Sequence, residues 1–119
     1  MEEYKLFDAE YKFMTIVWDN EPINSTELSK TCAEILGWKK STTFNMIKKL
    51  VQKEIIKNED ATVTSIVSKE HIRKKQSEEV VEKNFNGSLP SFLTAFLDEK
   101  KLDRKEIEEI IKIIEEAEK

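Results

Sequence analysis

Apolar positions fall at helical spacing through most of this chain and switch to alternate spacing once, just after Glu54. Tyr11, Met14, Val17 and Trp18 predict the inner stripe of a first helix, which Asp8 caps after Leu6 and Phe7 and which runs to about Asn20. Glu21-Pro22 stops it, and Ile23 opens an extended segment of one or two residues. Asn24 with Glu27 three residues on is the reciprocal pair that satisfies free amides at a helix start. This second helix, to about Leu36, is expected to turn Leu28, Cys32 and Ile35 inward, and Gly37 ends it. After a very short turn, Thr43, Met46, Ile47, Leu50 and Val51 recur at i, i+3, i+4, i+7 and i+8, the docking stripe of a third helix. Ile55-Ile56-Lys57 and Thr62 to Val67 are rich in β-branched residues, with the turn-prone Asn58-Glu59-Asp60 between them, and predict an antiparallel hairpin. Three helices followed by a hairpin make a winged helix-turn-helix domain over residues 1–68.

The second part of the chain has a different balance. Ser68 caps a helix reaching about Phe85, in which Ile72, Val80, Val81 and Phe85 are the few apolar positions. That helix reads as a connecting rod whose sparse stripe meets a partner. Asn86-Gly87-Ser88 breaks it. Leu89, Phe92, Leu93, Phe96 and Leu97 then form one stripe; Asp103 and Glu106 cap a last helix, where Ile107, Ile110, Ile111 and Ile114 form another. Two short helices cannot hide so many large apolar side chains by themselves, so residues 69–119 are expected to be a helical dimerisation region built on those nine residues. A twofold dimer would set two copies of the third helix at a fixed separation, the plan by which helix-turn-helix proteins read two half-sites. The fold class is therefore mainly α with a small β-hairpin.

Charge sharpens the reading of the third helix. Of 119 residues 37% are charged, with a net charge of −4, which argues against indiscriminate nucleic-acid binding and requires any DNA affinity to come from a local patch. Such a patch exists: from Lys39 to Lys57 the cations are Lys39, Lys40, Lys48, Lys49, Lys53 and Lys57, and Glu54 is the sole carboxylate. The outer face there carries Ser41, Thr42, Phe44, Asn45, Lys48, Lys49 and Gln52. Ammonium groups neutralise phosphates, hydroxyls and an amide reach phosphates or base edges, and an exposed ring can sit on a thymine methyl. The DNA-binding candidates are Lys39, Lys40, Ser41, Thr42, Phe44, Asn45, Lys48 and Lys49, on a helix near 41–53.

Other chemistry finds little support. The one His, His71, sits among Glu70, Arg73 and Lys74 at a helix start, and the lone Cys32 lies on an apolar stripe, so neither a catalytic centre nor a metal site is expected. Two glycines cannot build a phosphate-cradling loop, and no cofactor is expected. An enzyme is not indicated. No stretch is apolar over the roughly 20 residues a membrane span needs, and the start MEEYKLF lacks signal-peptide order, so a cytoplasmic location is the default expectation.

The residues also resemble a known family. Leu6 with Asp8-Ala9-Glu10-Tyr11, then Met14-Thr15-Ile16-Val17-Trp18, resembles the opening L-x-D-A-E-W-x-x-M-x-x-x-W of the penicillinase-repressor family, the BlaI/MecI type. Glu27-Leu28, Gly37-Trp38, Thr42-Thr43 and Ile47-Lys48-Lys49-Leu50 continue it, and Gly87-Ser88-Leu89, Phe96, Leu102 and Glu106-Ile107-Glu108-Glu109 are similar to its tail. The resemblance implies a homodimeric transcriptional repressor binding double-stranded operator DNA, of a type linked to antibiotic resistance. It also implies a membrane sensor or protease as a further partner, with cleavage in the dimerisation region releasing the operator. Carried over by position, the groove-facing residues are Ser41, Thr42, Phe44, Asn45 and Lys48, and the cleavage bond aligns with Ala95-Phe96.

The match departs from the pattern at Lys39-Lys40, where the family has Ser-Pro, so that Ser41 is expected to cap the helix instead. It departs again at Phe44, which stands where a base-reading Arg is common; at a short wing without its Gly and Arg; and at Ala95, in place of the Asn of the cleaved bond. These departures keep a second reading open: a degenerate winged helix that serves as a protein-interaction module.

Overall fold

In the computed structural model, which describes residues 6–118, the helical and extended stretches order as expected and gain one strand. Asp8–Asn20 forms α1. Its cap is Phe7 rather than Asp8; a phenyl ring offers no acceptor, and the end is closed by Glu10, whose Oε1 accepts the Phe7 N–H at 3.0 Å. That bond is the return half of a capping box. The buried stripe of α1 is broader than its heptad-like spacing suggested, because α1 is covered on two sides: Phe13, Met14, Ile16 and Val17 are buried, while Tyr11 and Trp18 are half-buried. Trp18 donates its indole N–H to the Val67 carbonyl at 3.1 Å, tying α1 to the chain just past the hairpin.

Ile23–Asn24 is β1, which pairs antiparallel with a later strand rather than standing alone. Ser25–Leu36 forms α2, where Asn24 Oδ1 accepts from the Thr26 N–H at 2.8 Å. Glu27 does not complete the expected reciprocal cap; its carboxylate sits 3.8 Å from the Lys30 ammonium. Leu28 and Cys32 point inward, but Ile35 is 64% exposed, a correction to the expected stripe. The inward row keeps i, i+4 spacing through Leu28, Cys32 and the half-buried Leu36, and Ile35 falls outside it. Gly37 ends α2 at φ +71°, a left-handed backbone that any other residue would adopt at a cost.

Lys40–Gln52 is α3. It starts with Lys39 at the cap position and no side-chain cap, so the cap expected at Ser41 lies two residues earlier. Thr43, Ile47 and Leu50 are buried in the core, where α3 packs on α2 and the strand that follows it, whereas Val51, at the end of the predicted stripe, is 38% exposed. Ile56–Glu59 (β2) and Thr62–Ser65 (β3) form the hairpin with Lys57 opposite Thr64 and Asn58 opposite Val63. Asn58 and Glu59 are strand residues, not turn; the turn is Asp60-Ala61, both at positive φ, as a two-residue hairpin twisted to match its strands requires. The sheet order is β1-β3-β2. Ile55, Ile56, Val63 and Val67 close the core from this side.

Lys69–Phe85 forms α4, opened by Ser68 Oγ accepting from the His71 N–H at 3.0 Å. Its first turns are no free rod: Ile72 is fully buried in the winged-helix core and Gln76 donates to the Leu6 carbonyl at 3.3 Å. The expectation that α4 finds no cover in its own chain is corrected there, because Ile72 belongs to the winged-helix core. The chain divides into two compact units, Met1–Glu79 and Val80–Lys119. In the second, Leu89–Leu97 (α5) is capped by Ser88 accepting from Ser91 N–H at 3.2 Å with Pro90 in its first turn, and Arg104–Ala117 (α6) by Asp103 accepting from Glu106 N–H at 2.8 Å. The architecture is a winged helix-turn-helix domain followed by a helical C-terminal region. Among the described residues, no helix is long and apolar enough to cross a membrane.

Candidate nucleic-acid interface

The helix-turn-helix fixes what α3 shows to solvent. Thr43, Ile47 and Leu50 occupy its buried side, so helical periodicity turns Ser41, Thr42, Asn45 and Lys48 outward, and all four are exposed. Lys39 and Lys40 flank the N-terminal end, also exposed. Among the described residues no carboxylate forms an ion pair with Lys39, Lys40 or Lys48. An α3 N-terminus with no acidic residue in its first turn and two lysines beside it is a concentrated positive end.

Phe44 is placed differently from expectation. Its ring is half-buried and packs against the core, with the Lys40 ammonium 5.9 Å from its centroid. The freely exposed ring expected from the helical wheel is corrected: Phe44 sits at the margin between Thr43 and the outer face, where the core claims most of it. The ring therefore helps seat α3 and holds Lys40 above it.

Lys49 and Lys53 turn toward α1. The Lys49 ammonium lies 2.8 Å from Glu10 Oε2, at angles short of a directed hydrogen bond, and Lys53 donates to Glu10 Oε1 at 3.2 Å. Glu10 itself is 1% exposed. Burial alone would raise its carboxyl, but the Lys49 ammonium, the Phe7 N–H and Lys53 outweigh burial and hold Glu10 below the usual carboxylate range. Sequence reading recognised Glu10 only as part of a motif. Its partners lie some forty residues away, and no local pattern reports that distance.

The wing carries little positive charge. Lys57 is 3.7 Å from Glu59 on the same strand, and the turn that follows begins with Asp60. The remaining reactive groups are unremarkable in placement: burial pushes the Cys32 thiol up, only partly offset by the neighbouring Thr43 hydroxyl, and His71 is exposed in the first turn of α4.

The C-terminal unit, taken by itself, leaves its apolar stripes open. Neither α5 nor α6 has a buried residue. Leu89, Phe96, Ile111 and Ile114 are exposed, and Phe92, Leu93, Leu97, Ile107 and Ile110 are half-buried. Phe92 stacks on Phe96 at 5.8 Å and meets Phe85 edge to face at 5.6 Å. Ile113, which lies outside the predicted stripe, is 67% exposed and widens it. Ala95 and Phe96 are both exposed but lie inside α5.

Comparison with known proteins agrees with this layout. The family model described as penicillinase repressor matches residues 6–116. A penicillinase repressor of Bacillus licheniformis is 25% identical over 116 residues, covering 94% of this chain and 91% of that protein. One of Staphylococcus aureus is 25% identical over 115 residues, covering 93% and 91%. The match spans both the winged helix and the helical tail, and the chain belongs to the penicillinase repressor family.

Proposed function

We propose that this chain is a transcriptional repressor, not an enzyme, and that it acts as a homodimer which lays α3 into the major groove of operator DNA. The observation that carries the proposal is the outer face of α3: Ser41, Thr42 and Asn45 exposed between Lys39, Lys40 and Lys48, with no carboxylate paired to those lysines among the described residues. Hydroxyls and an amide framed by cations can specify bases while the cations hold the backbone. The relatives' name supports the repressor class. Residues 1–68 supply the DNA-binding domain and 69–119 the dimerisation region in this reading. The open stripes of α5 and α6 support a twofold partner, since their burial against a second copy would remove the exposed Leu, Phe and Ile side chains from water.

Release by proteolysis, in answer to a beta-lactam sensed at the membrane, is the finer part of the proposal. Ala95-Phe96 is its candidate bond, and since it lies within α5 that helix must unwind before a protease can take it as extended chain. Cleavage there would remove α6 and part of the α5 stripe, and with them the dimer.

The test is equilibrium binding to the gene's own upstream duplex and to random duplex. Lys48→Ala is expected to weaken both alike, whereas Asn45→Ala and Thr42→Ala lose preference for the upstream sequence. Equal losses on both duplexes for all three variants would refute base reading. The second reading, a protein-interaction module, is favoured by one specific observation, the acidic wing with Lys57 already paired to Glu59. It predicts no steep salt dependence on any DNA.

A further inference from the structure

We propose that Glu10 withholds Lys49 and Lys53 from DNA, confining phosphate contact by α3 to Lys39, Lys40 and Lys48. The inference rests on the DNA-binding reading above and deepens it. Sequence places five lysines on or beside α3, and any of them could meet a phosphate. The structure divides them. Lys49 and Lys53 converge on one carboxylate, at 2.8 and 3.2 Å, and that carboxylate is 1% exposed and further pinned by the Phe7 N–H at 3.0 Å. The Phe7 ring adds a second tether, its centroid 6.0 Å from the Lys49 ammonium and 5.8 Å from that of Lys53.

Moving either lysine to a phosphate would strand part of the charge of a buried carboxylate. The lysine side chains are 53% and 28% exposed, but the carboxylate they serve is buried, and taking a partner from a buried carboxylate costs more than a solvent-exposed ion pair returns, so the lysines stay. Glu10 is thus a positioning residue with two effects. It brings the C-terminal end of α3 onto α1, and it makes the positive footprint of the helix uneven, leaving the charges of Lys39, Lys40 and Lys48 turned outward while cutting the two charges of Lys49 and Lys53 to a net one. Glu10, which the sequence shows only as part of the family motif, acquires a role in setting how α3 docks.

The test is the salt dependence of binding to random duplex DNA by the full chain. With about 0.9 of slope in log K per phosphate-bound lysine, three lysines give a slope of about 2.7 per protomer and five would give about 4.5. The parent is expected near the lower figure. Glu10→Gln keeps an acceptor for the Phe7 N–H but removes the charge, and is expected to steepen the slope by up to about 1.8 per protomer. Lys49→Gln/Lys53→Gln, whose amides can still donate to Glu10, is expected to leave the slope unchanged, and it decides the matter should Glu10→Gln fail to fold. A slope unmoved by Glu10→Gln, or one that drops by about 1.8 in the double variant, overturns the assignment while leaving DNA binding intact. A parent that shows no salt-dependent binding at all overturns the DNA reading and this inference together.

Discussion

Replacing Phe96 by Asp probes the C-terminal stripe where it is most open. In the single chain Phe96 is 53% exposed, stacked on Phe92 at 5.8 Å and lying 5.4 Å from the Lys100 ammonium. A Phe side chain presents about 200 Å², so in the proposed dimer about 100 Å² would be covered by the second copy, worth about 2.5 kcal/mol at 25 cal/mol per Å². Twofold symmetry doubles this to about 5 kcal/mol per dimer, and a carboxylate brought into the same apolar seam adds its own desolvation cost. At 1.4 kcal/mol per tenfold, the dimer should weaken by at least three orders of magnitude. Sedimentation equilibrium reads the association constant directly. Far-UV circular dichroism should show α1 to α3 and the hairpin intact, because Phe96 belongs to the other compact unit. A Phe96→Asp chain that sediments as the parent does, or a parent that is monomeric at micromolar concentration, would refute the reasoning.

Four further substitutions test the frame that holds α3. Ala61→Gly should stabilise the domain by roughly 0.5–1 kcal/mol in urea melts, since Ala61 sits at φ +62° in the Asp60-Ala61 turn and glycine adopts that backbone without the side-chain penalty. Ile72→Ala should cost about 2–5 kcal/mol because Ile72 is fully buried, whereas Val80→Ala farther along α4, at 43% exposure, should stay within about 0.5 kcal/mol; equal effects would argue against docking of the first turns of α4. Glu10 should give the domain an acid-sensitive limb. Its folded-state carboxyl lies below its unfolded value, so its contribution is complete above the ordinary carboxylate range and drains away as pH falls through the depressed folded pKa. Glu10→Gln should flatten stability against pH in that acid window and leave the neutral-to-alkaline curve parallel to the parent's.

The local grammar of the chain carries much of its fold. Asn24, Gly37, Ser68, Ser88 and Asp103 each mark a helix end that the structure keeps, because a cap acts within a turn of its own position. What sequence could not show is pairing across distance. Ile23–Asn24 is too short to alternate, and becomes a strand only because Val63 and Thr62 lie opposite. Phe7 caps α1 with Glu10 held in place by Lys49 and Lys53, and Ile72 is buried among core residues far from it in the chain. The same limit governs the candidate interface. Helical periodicity puts Ser41, Thr42, Asn45 and Lys48 on the outer face, but it cannot see that Phe44 is half claimed by the core or that Lys49 answers to α1.

Binding of the full chain to its own upstream duplex and to a scrambled duplex of equal length, across a fourfold rise in salt, tests the central claim most directly. With three phosphate-bound lysines on each α3 of a dimer, affinity should fall by roughly 10³ between about 50 and 200 mM salt, with the upstream duplex preferred throughout. Affinity that ignores salt, or that ranks the two duplexes equally, would contradict it.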